Sequence, residues 1–395
     1  MPFGSGSFCR WAQDNQIFAG IVCGRGIWSA NSHIPIMIRI EKEKSIRIKD
    51  QMSELQKKAS KANRNHFIDI LKGICIIFVI VTHFSWTADE KLKYYFPFWI
   101  NMAVPLFMII SGYVYAFSYK KHNIKCTSDA YELKGILSKM VRYTVPFAIA
   151  FAIEIGYMVY AHKMPADEDL ILRLIKDFMV GGYGPGSYYF PLMIQFIFIY
   201  PIIYFIVTKY EFKGVLLIGL LNALFELMQC AYCLNYTCYR LLIFRYILLI
   251  AVGCCTAQGK VKQHKLVLLI SFVIGLIFIY NYNYLEYEPK IVTHWTKTSF
   301  VACLYIIPLA VLMLSYLGNV RFAPLEYIGK ASYNIFLTQM VWYHFGFRWL
   351  EKVISDRLTV LAVDIAICVV VGIIFYYLEK PITGFVDRKA SKLVA

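Results

Sequence analysis

The chain has 395 residues, of which 59% are hydrophobic and only 17% are charged. Its mean hydropathy of +0.54 indicates a protein with many membrane-spanning helices and argues against a soluble globular protein. Forty-one Lys and Arg residues against 25 Asp and Glu residues give a net charge of +16. Because the basic residues fall between the apolar runs, this excess is typical of cytoplasmic loops, and we expect no nucleic-acid partner.

The N-terminal part of the chain differs from the rest. Residues 1–62 contain Gly-Ser stretches and a charged run, which predict a cytoplasmic extension that is disordered or partly helical. No secretory signal pattern follows the first residue, and Met52 begins a Lys-rich amphipathic stretch. We therefore expect the working protein to start near Met52. We expect a membrane domain over residues 63–382 and a basic cytoplasmic tail over residues 383–395.

Ten apolar segments are long enough to cross the hydrocarbon core of a bilayer as helices. Lys and Arg collect in alternate loops and acidic residues in the opposite loops, which predicts that both termini are cytoplasmic. The predicted fold class is therefore an all-α bundle of about ten transmembrane helices in the cytoplasmic membrane. The segments are 67–87, 97–118, 143–161, 189–208, 214–232, 241–257, 266–283, 298–317, 332–350 and 358–378.

The first segment carries three ionisable groups, Asp69, Lys72 and His83. Such groups are costly in hydrocarbon and are therefore candidates for function. Lys72 and His83 are eleven positions apart, about 16 Å along a helix and close to three turns, so they share one face. His83 suits a general base or an acyl acceptor, although it could instead bond a neighbouring helix. Lys72 could pair with Asp69, one turn away, or bind a phosphate-bearing donor.

Other charged residues also lie within or beside the predicted spans. Lys139 and Arg142 precede the third segment, where they could bind phosphates or act as ordinary topology charges. Glu154 or Glu226 could pair with Arg245, and the sequence does not decide between them. The spacing of His, Cys and acidic residues matches no metal motif, so no metal site is expected.

The longest external connection, residues 162–188, has two parts. Its middle, DLILRLIKDF, has apolar residues at helical spacing and predicts a helix on the membrane surface. The glycine-rich stretch 181–186 then predicts an irregular turn. This turn is either a rim over a site or a plain connector.

The first segment, FIDILKGICIIFVIVTHF, resembles the opening of the acyltransferase 3 family of bacterial integral-membrane O-acyltransferases. The family hallmark is a basic residue, ten residues and a His, which here is Lys72 to His83. The family more often has Arg at the basic position. Three later stretches are similar to further family motifs, and Gln339 in one of them stands where many members have His. These stretches are VPLFMIISGYVYAF, IGKASYNIFLTQ and YYLEKPI.

The resemblance implies transfer of an acyl group, usually acetyl from acetyl-CoA, to a hydroxyl of a cell-envelope carbohydrate. It implies that His83 is catalytic and that Lys72, Lys139, Arg142 and Asp69 serve the donor side. The expected partners are acyl-CoA as co-substrate, a carbohydrate acceptor and the lipid bilayer, with no bound cofactor. The competing hypothesis is a proton-coupled secondary transporter, because intramembrane acids, Arg and His also suit a carrier.

Overall fold

The computed structural model describes residues 66–162, 169–232, 235–287 and 299–393. Within these ranges the regular structure is helical and contains no β-strand, so the predicted all-α class is confirmed. The chain divides into two units, Met1–Arg64 and Asn65–Ala395. The first unit lies outside the described residues, as does the predicted N-terminal extension. The proposed domain boundaries therefore stay predictions.

The described ranges contain sixteen α-helices and three short 3-10 helices. The α-helices are α1 Phe67–His83, α2 Ala88–Lys93, α3 Ala103–Lys121, α4 Thr127–Ala130, α5 Leu133–Tyr160, α6 Leu170–Val180, α7 Tyr189–Ala231, α8 Tyr236–Leu241, α9 Ile247–Ala257, α10 Lys265–Tyr284, α11 Phe300–Cys303, α12 Ile306–Tyr316, α13 Ala323–Lys330, α14 Ser332–Phe345, α15 Phe347–Val353 and α16 Arg357–Leu393. The 3-10 helices are Phe96–Phe98, Ile100–Met102 and Ile243–Tyr246.

Helix length and composition identify the candidate membrane spans. Each of the ten predicted segments overlaps helical structure, but among the described residues five helical segments are long and apolar enough to cross a membrane. The number of ten crossings and the side on which the termini lie therefore stay predictions. The five segments are Phe96–Lys121, Thr127–Tyr160, Tyr189–Gln229, Lys265–Tyr284 and Arg357–Leu393.

Three helices are longer than the apolar segments that predicted them. Helix α7 contains two predicted segments, which meet at Glu211, where φ 55° and ψ −130° interrupt the helical geometry. Helix α5 begins at Leu133, ten residues before its apolar segment, and α16 continues through Pro381 into the predicted tail. Charged residues mark the edge of an apolar segment, but they do not stop a helix, since Lys, Arg and Glu are good helix formers.

Helices α1, α5 and α14 run in the same direction. At one end of α14, the Tyr333 hydroxyl donates to the Tyr143 carbonyl of α5 at 3.0 Å. Towards its other end, the Tyr343 hydroxyl lies 3.3 Å from the Ile80 carbonyl of α1. Helix α16 runs antiparallel to α14, because Trp342 donates to Asp364 near the start of α16 at 2.9 Å. Side chains of these four helices line a shared interior space.

Glycines allow the close helix approaches that build this bundle. A Cβ added at Gly329 would lie 1.8 Å from the Asp69 carbonyl oxygen, so α13 packs directly on the first turns of α1. A Cβ added at Gly112 would lie 2.1 Å from the Ile250 carbonyl oxygen of α9. Small residues are common at such close helix interfaces in membrane proteins.

Candidate active site

The interior space of the bundle is a cavity of about 650 Å³, a volume typical of small-molecule sites. Residues of α1, α3, α5, α7, α14 and α16 line it. Along α1 the lining residues extend from Asp69 and Lys72 to His83. Because Lys72 and His83 are eleven residues apart on one helix, the cavity connects two positions separated by about 16 Å.

The end of the cavity at Lys72 is called the basic mouth. Residues of four helices converge there, although they are far apart in the sequence. Among these lining residues the cations outnumber the acids by one. One of the acids, Glu379, accepts a hydrogen bond from the Thr383 hydroxyl at 2.5 Å. Such an array suits a ligand that carries several phosphates. The cations are Lys72, Arg142, Lys330 and Lys380, and the acids are Asp69, Glu379 and Asp387.

The opposite end of the cavity, called the His83 end, is defined by His83, Gly186 and Tyr188. Helix α1 stops at His83 because Phe84 has extended backbone angles, φ −61° and ψ 157°. The Trp86 indole donates back to the Val81 carbonyl at 2.8 Å and secures this turn. His83 thus lies on the last turn of α1. Its imidazole is half-buried and lines the cavity.

Gly186 brings the backbone of the glycine-rich turn against His83. Its φ of +86° lies in the left-handed region, which side chains disfavour. A Cβ at this position would lie 2.9 Å from Phe336 Cε2 and 3.7 Å from His83 Nε2. The structure thus favours the interpretation of residues 181–186 as a rim of the site over that of a plain connector.

A buried carboxylate supports this turn from behind. Glu154 has no exposed surface, and its Oε2 accepts the Tyr183 backbone N–H at 3.3 Å. The Tyr183 hydroxyl donates to Asp177 of α6 at 2.6 Å. These two bonds tie the glycine-rich turn to α5 and α6. From the sequence alone, Glu154 was one of two candidate partners of Arg245.

The structure places Arg245 with Glu226 instead. The Tyr239 hydroxyl lies 2.8 Å from both carboxylate oxygens of Glu226, and the Arg245 guanidinium lies 4.7 Å from the centre of the Tyr239 ring. Glu226 also acts electrostatically on Arg245. Neither Glu226 nor Arg245 lines the cavity, so this buried network stabilises the packing of α7 against the following segments.

An aromatic residue of α14 also contacts the catalytic candidate. The Tyr343 ring centre lies 6.3 Å from that of His83, in an edge-on arrangement. The Tyr343 hydroxyl donates to Asp364 at 2.5 Å, and the Trp342 indole donates to the other carboxylate oxygen. Asp364 is fully buried and therefore fixes the orientation of Tyr343 beside the imidazole.

Four of the five predicted site residues meet in one cavity: His83, Lys72, Asp69 and Arg142 line it. Lys139 does not line the cavity, because its ammonium lies over the Tyr119 ring at 4.9 Å from the ring centre. The chemical roles of all five stay predictions.

Sequence reasoning assigned no role to several other cavity residues, among them Lys330, Glu379, Lys380 and Gly186. All four stand in stretches already noted: IGKASYNIFLTQ, the YYLEKPI motif and the glycine-rich turn. The sequence contained no signal that these distant stretches would meet at one cavity.

The fold and the site together define a helical integral-membrane protein with an internal passage from a basic mouth to a histidine. A family model described as an acyltransferase domain matches residues 65–378. The chain therefore belongs to the acyltransferase 3 family, and the resemblance found in the sequence is confirmed. No curated protein and no solved structure matches this chain.

Proposed function

We propose that this protein transfers an acetyl group from acetyl-CoA to a hydroxyl of a cell-envelope carbohydrate at the cytoplasmic membrane. The observation that carries the proposal is the single cavity that joins the basic mouth to His83. The family supports acyl transfer in general. The donor, the acceptor and the residue roles are the parts that we infer.

The basic mouth is the site proposed for the donor. CoA carries its phosphates at one end and the thioester at the other end of a long, thin pantetheine arm. Lys72 and Arg142 would bind the phosphates, since both face the cavity from different helices. The thioester would then reach the His83 end, about 16 Å further along α1.

His83 is proposed as the general base. It accepts the proton of the sugar hydroxyl while that oxygen attacks the thioester carbonyl, and the carbon–sulfur bond then breaks. CoA leaves as the thiolate and takes up the proton from the imidazolium, so the products are the O-acetyl sugar and CoA–SH. In a variant of this mechanism His83 carries the acetyl group transiently.

The transporter hypothesis is less well supported, because the family match concerns acyl transfer. A carrier would need two compartments to show activity, whereas a transferase should release CoA in detergent solution. The two hypotheses therefore separate in a purified preparation.

The test is CoA release from acetyl-CoA by the purified protein in detergent with a panel of envelope sugars. Wild type is compared with His83→Ala and with His122→Ala, a control at an exposed histidine. We expect release to vanish only in His83→Ala. Equal release by all three proteins would remove His83 from the mechanism, and failure of the wild type to bind CoA would favour the transporter. Mass spectrometry of quenched protein would detect an acetylated His83.

A further inference from the structure

Two cations stand beside the His83 end of the cavity without lining it, and both act electrostatically on the His83 imidazole. They are Lys91 of α2 and Arg240 of α8. A positive charge beside a group that must accept a proton opposes that step. A negative charge bound between these two residues and the imidazole would offset this opposition.

Arg240 is held at the His83 end by defined contacts. Its guanidinium stacks over the ring of Tyr188, which lines the cavity, at 4.5 Å from the ring centre. Gln195 of α7 fixes the backbone beside it, since its amide donates to the Leu241 carbonyl at 2.6 Å and accepts the Ile243 N–H at 3.1 Å. A stacked guanidinium keeps its N–H groups available at the edge of its plane for a planar anion.

The cations at this end differ in how they are compensated. Arg357 forms a salt bridge with Glu90 of α2, with Arg357 Nη2 at 2.8 Å from the Glu90 carboxylate. Among the residues that the structure describes, no salt bridge involves Lys91 or Arg240. The acid next to Lys91 in the sequence is thus engaged with Arg357, so no salt bridge among the described residues compensates Lys91 or Arg240.

We propose that the His83 end receives an acceptor sugar that carries a negative charge, with Arg240 and Lys91 as its binding residues. This inference rests on the proposed function, because it assigns the class of acceptor for the same site. The anion is a carboxylate or a phosphate on the sugar. Its charge compensates the two cations and leaves His83 free to accept the hydroxyl proton.

The test compares three sugars that share one ring: galactose, galacturonate and galactose 6-phosphate. The measured quantities are kcat/KM for acetyl transfer and, separately, sugar binding to the purified protein by calorimetry without acetyl-CoA. For the wild type we expect kcat/KM for one of the anionic sugars to exceed that for galactose by about tenfold or more. The anionic sugar with the higher kcat/KM shows whether the site prefers a carboxylate or a phosphate.

Three variants assign the effect to residues. Arg240→Gln should lose the preference for the anionic sugar while the KM for acetyl-CoA is unchanged, and Arg240→Lys should retain part of it. Lys91→Gln, on a short and partly exposed helix, provides a second test in case Arg240→Gln does not fold. Lys352→Gln, at an exposed cation of α15, is the matched control and should behave as wild type.

Equal kcat/KM for galactose and both anionic sugars would overturn the proposal, as would an unchanged preference in Arg240→Gln and Lys91→Gln. The proposed function fails by a different result, namely no CoA release with any sugar. In that case the binding measurement decides, because equal binding of galactose and the anionic sugars removes the anion site independently of turnover.

Discussion

Replacing Gly186 by Ala tests whether the backbone beside His83 forms part of the active site. The new methyl group would lie 2.9 Å from Phe336 Cε2 and 3.7 Å from His83 Nε2. The first distance is shorter than a normal carbon–carbon contact, so either the buried Phe336 ring or the glycine-rich turn must move. Either movement changes the cavity wall next to the imidazole.

The expected loss of stability in Gly186→Ala has two parts, backbone strain and steric crowding, which the structure allows us to separate. An Ala at φ +86° costs about 1–2 kcal/mol in backbone strain, and forcing a methyl group into a packed site costs about 1–3 kcal/mol more. Gly259 has φ +75° with no atom within 4 Å of an added Cβ. Gly259→Ala therefore carries the strain alone and provides the matched control.

The assay is thermal unfolding in detergent together with CoA release at saturating acetyl-CoA. We expect Gly186→Ala to unfold at a lower temperature than Gly259→Ala and to lose about 100-fold in kcat, the scale of an effect from an ångström-sized misplacement. Gly259→Ala should keep the wild-type kcat. A kcat of Gly186→Ala equal to that of the control would refute the assignment of the glycine-rich turn to the site.

Three further predictions concern single side chains. Glu154→Ala leaves the Tyr183 N–H without its buried acceptor, at a cost of about 1–3 kcal/mol in stability. The kcat should fall while the KM for acetyl-CoA is unchanged, and an unchanged kcat would contradict this prediction. Lys72→Gln should raise the KM for acetyl-CoA about tenfold, while Lys72→Arg should not raise it. Equal KM values for wild type and Lys72→Gln would exclude Lys72 from donor binding. The Arg357 hydrogen bond lowers the pKa of Glu90 below its ordinary value of 4.5, so this contact stabilises the fold above that pH and the stabilisation is lost on further acidification. The difference in unfolding temperature between wild type and Glu90→Gln should therefore be largest at pH 6 and shrink as the pH falls below 4.5, and a constant difference would refute the assignment.

The part of the site that a single helix determines could be predicted from the sequence. Eleven residues are close to three turns, and Lys72 and His83 do line the same cavity. Lys139 and Arg142 are three residues apart on α5, and their spacing alone does not show which of them faces the cavity. That spacing leaves them about 60° apart around the helix axis, and only Arg142 faces the cavity while Lys139 packs on Tyr119 of α3.

The rest of the site depends on contacts between distant segments, which periodicity does not encode. The sequence showed that Glu154 needs a partner, but its partner is a backbone N–H 29 residues later. The convergence of Lys330 and Lys380 on Lys72 depends on close packing at Gly329 and on the antiparallel course of α16. Neither feature has a local signal in the sequence.

The distribution of charge is consistent with the proposed donor role of Lys72, at a position where the family more often has Arg. An arginine can hold a phosphate through two parallel hydrogen bonds, whereas a lysine acts as a point charge. At the basic mouth, Lys72 shares the cavity wall with Arg142, Lys330 and Lys380 from three other helices. Several point charges around a polyphosphate can replace one two-pronged contact. Donor binding should therefore weaken in steps as these cations are removed one at a time, whereas the single imidazole of His83 has no such reserve.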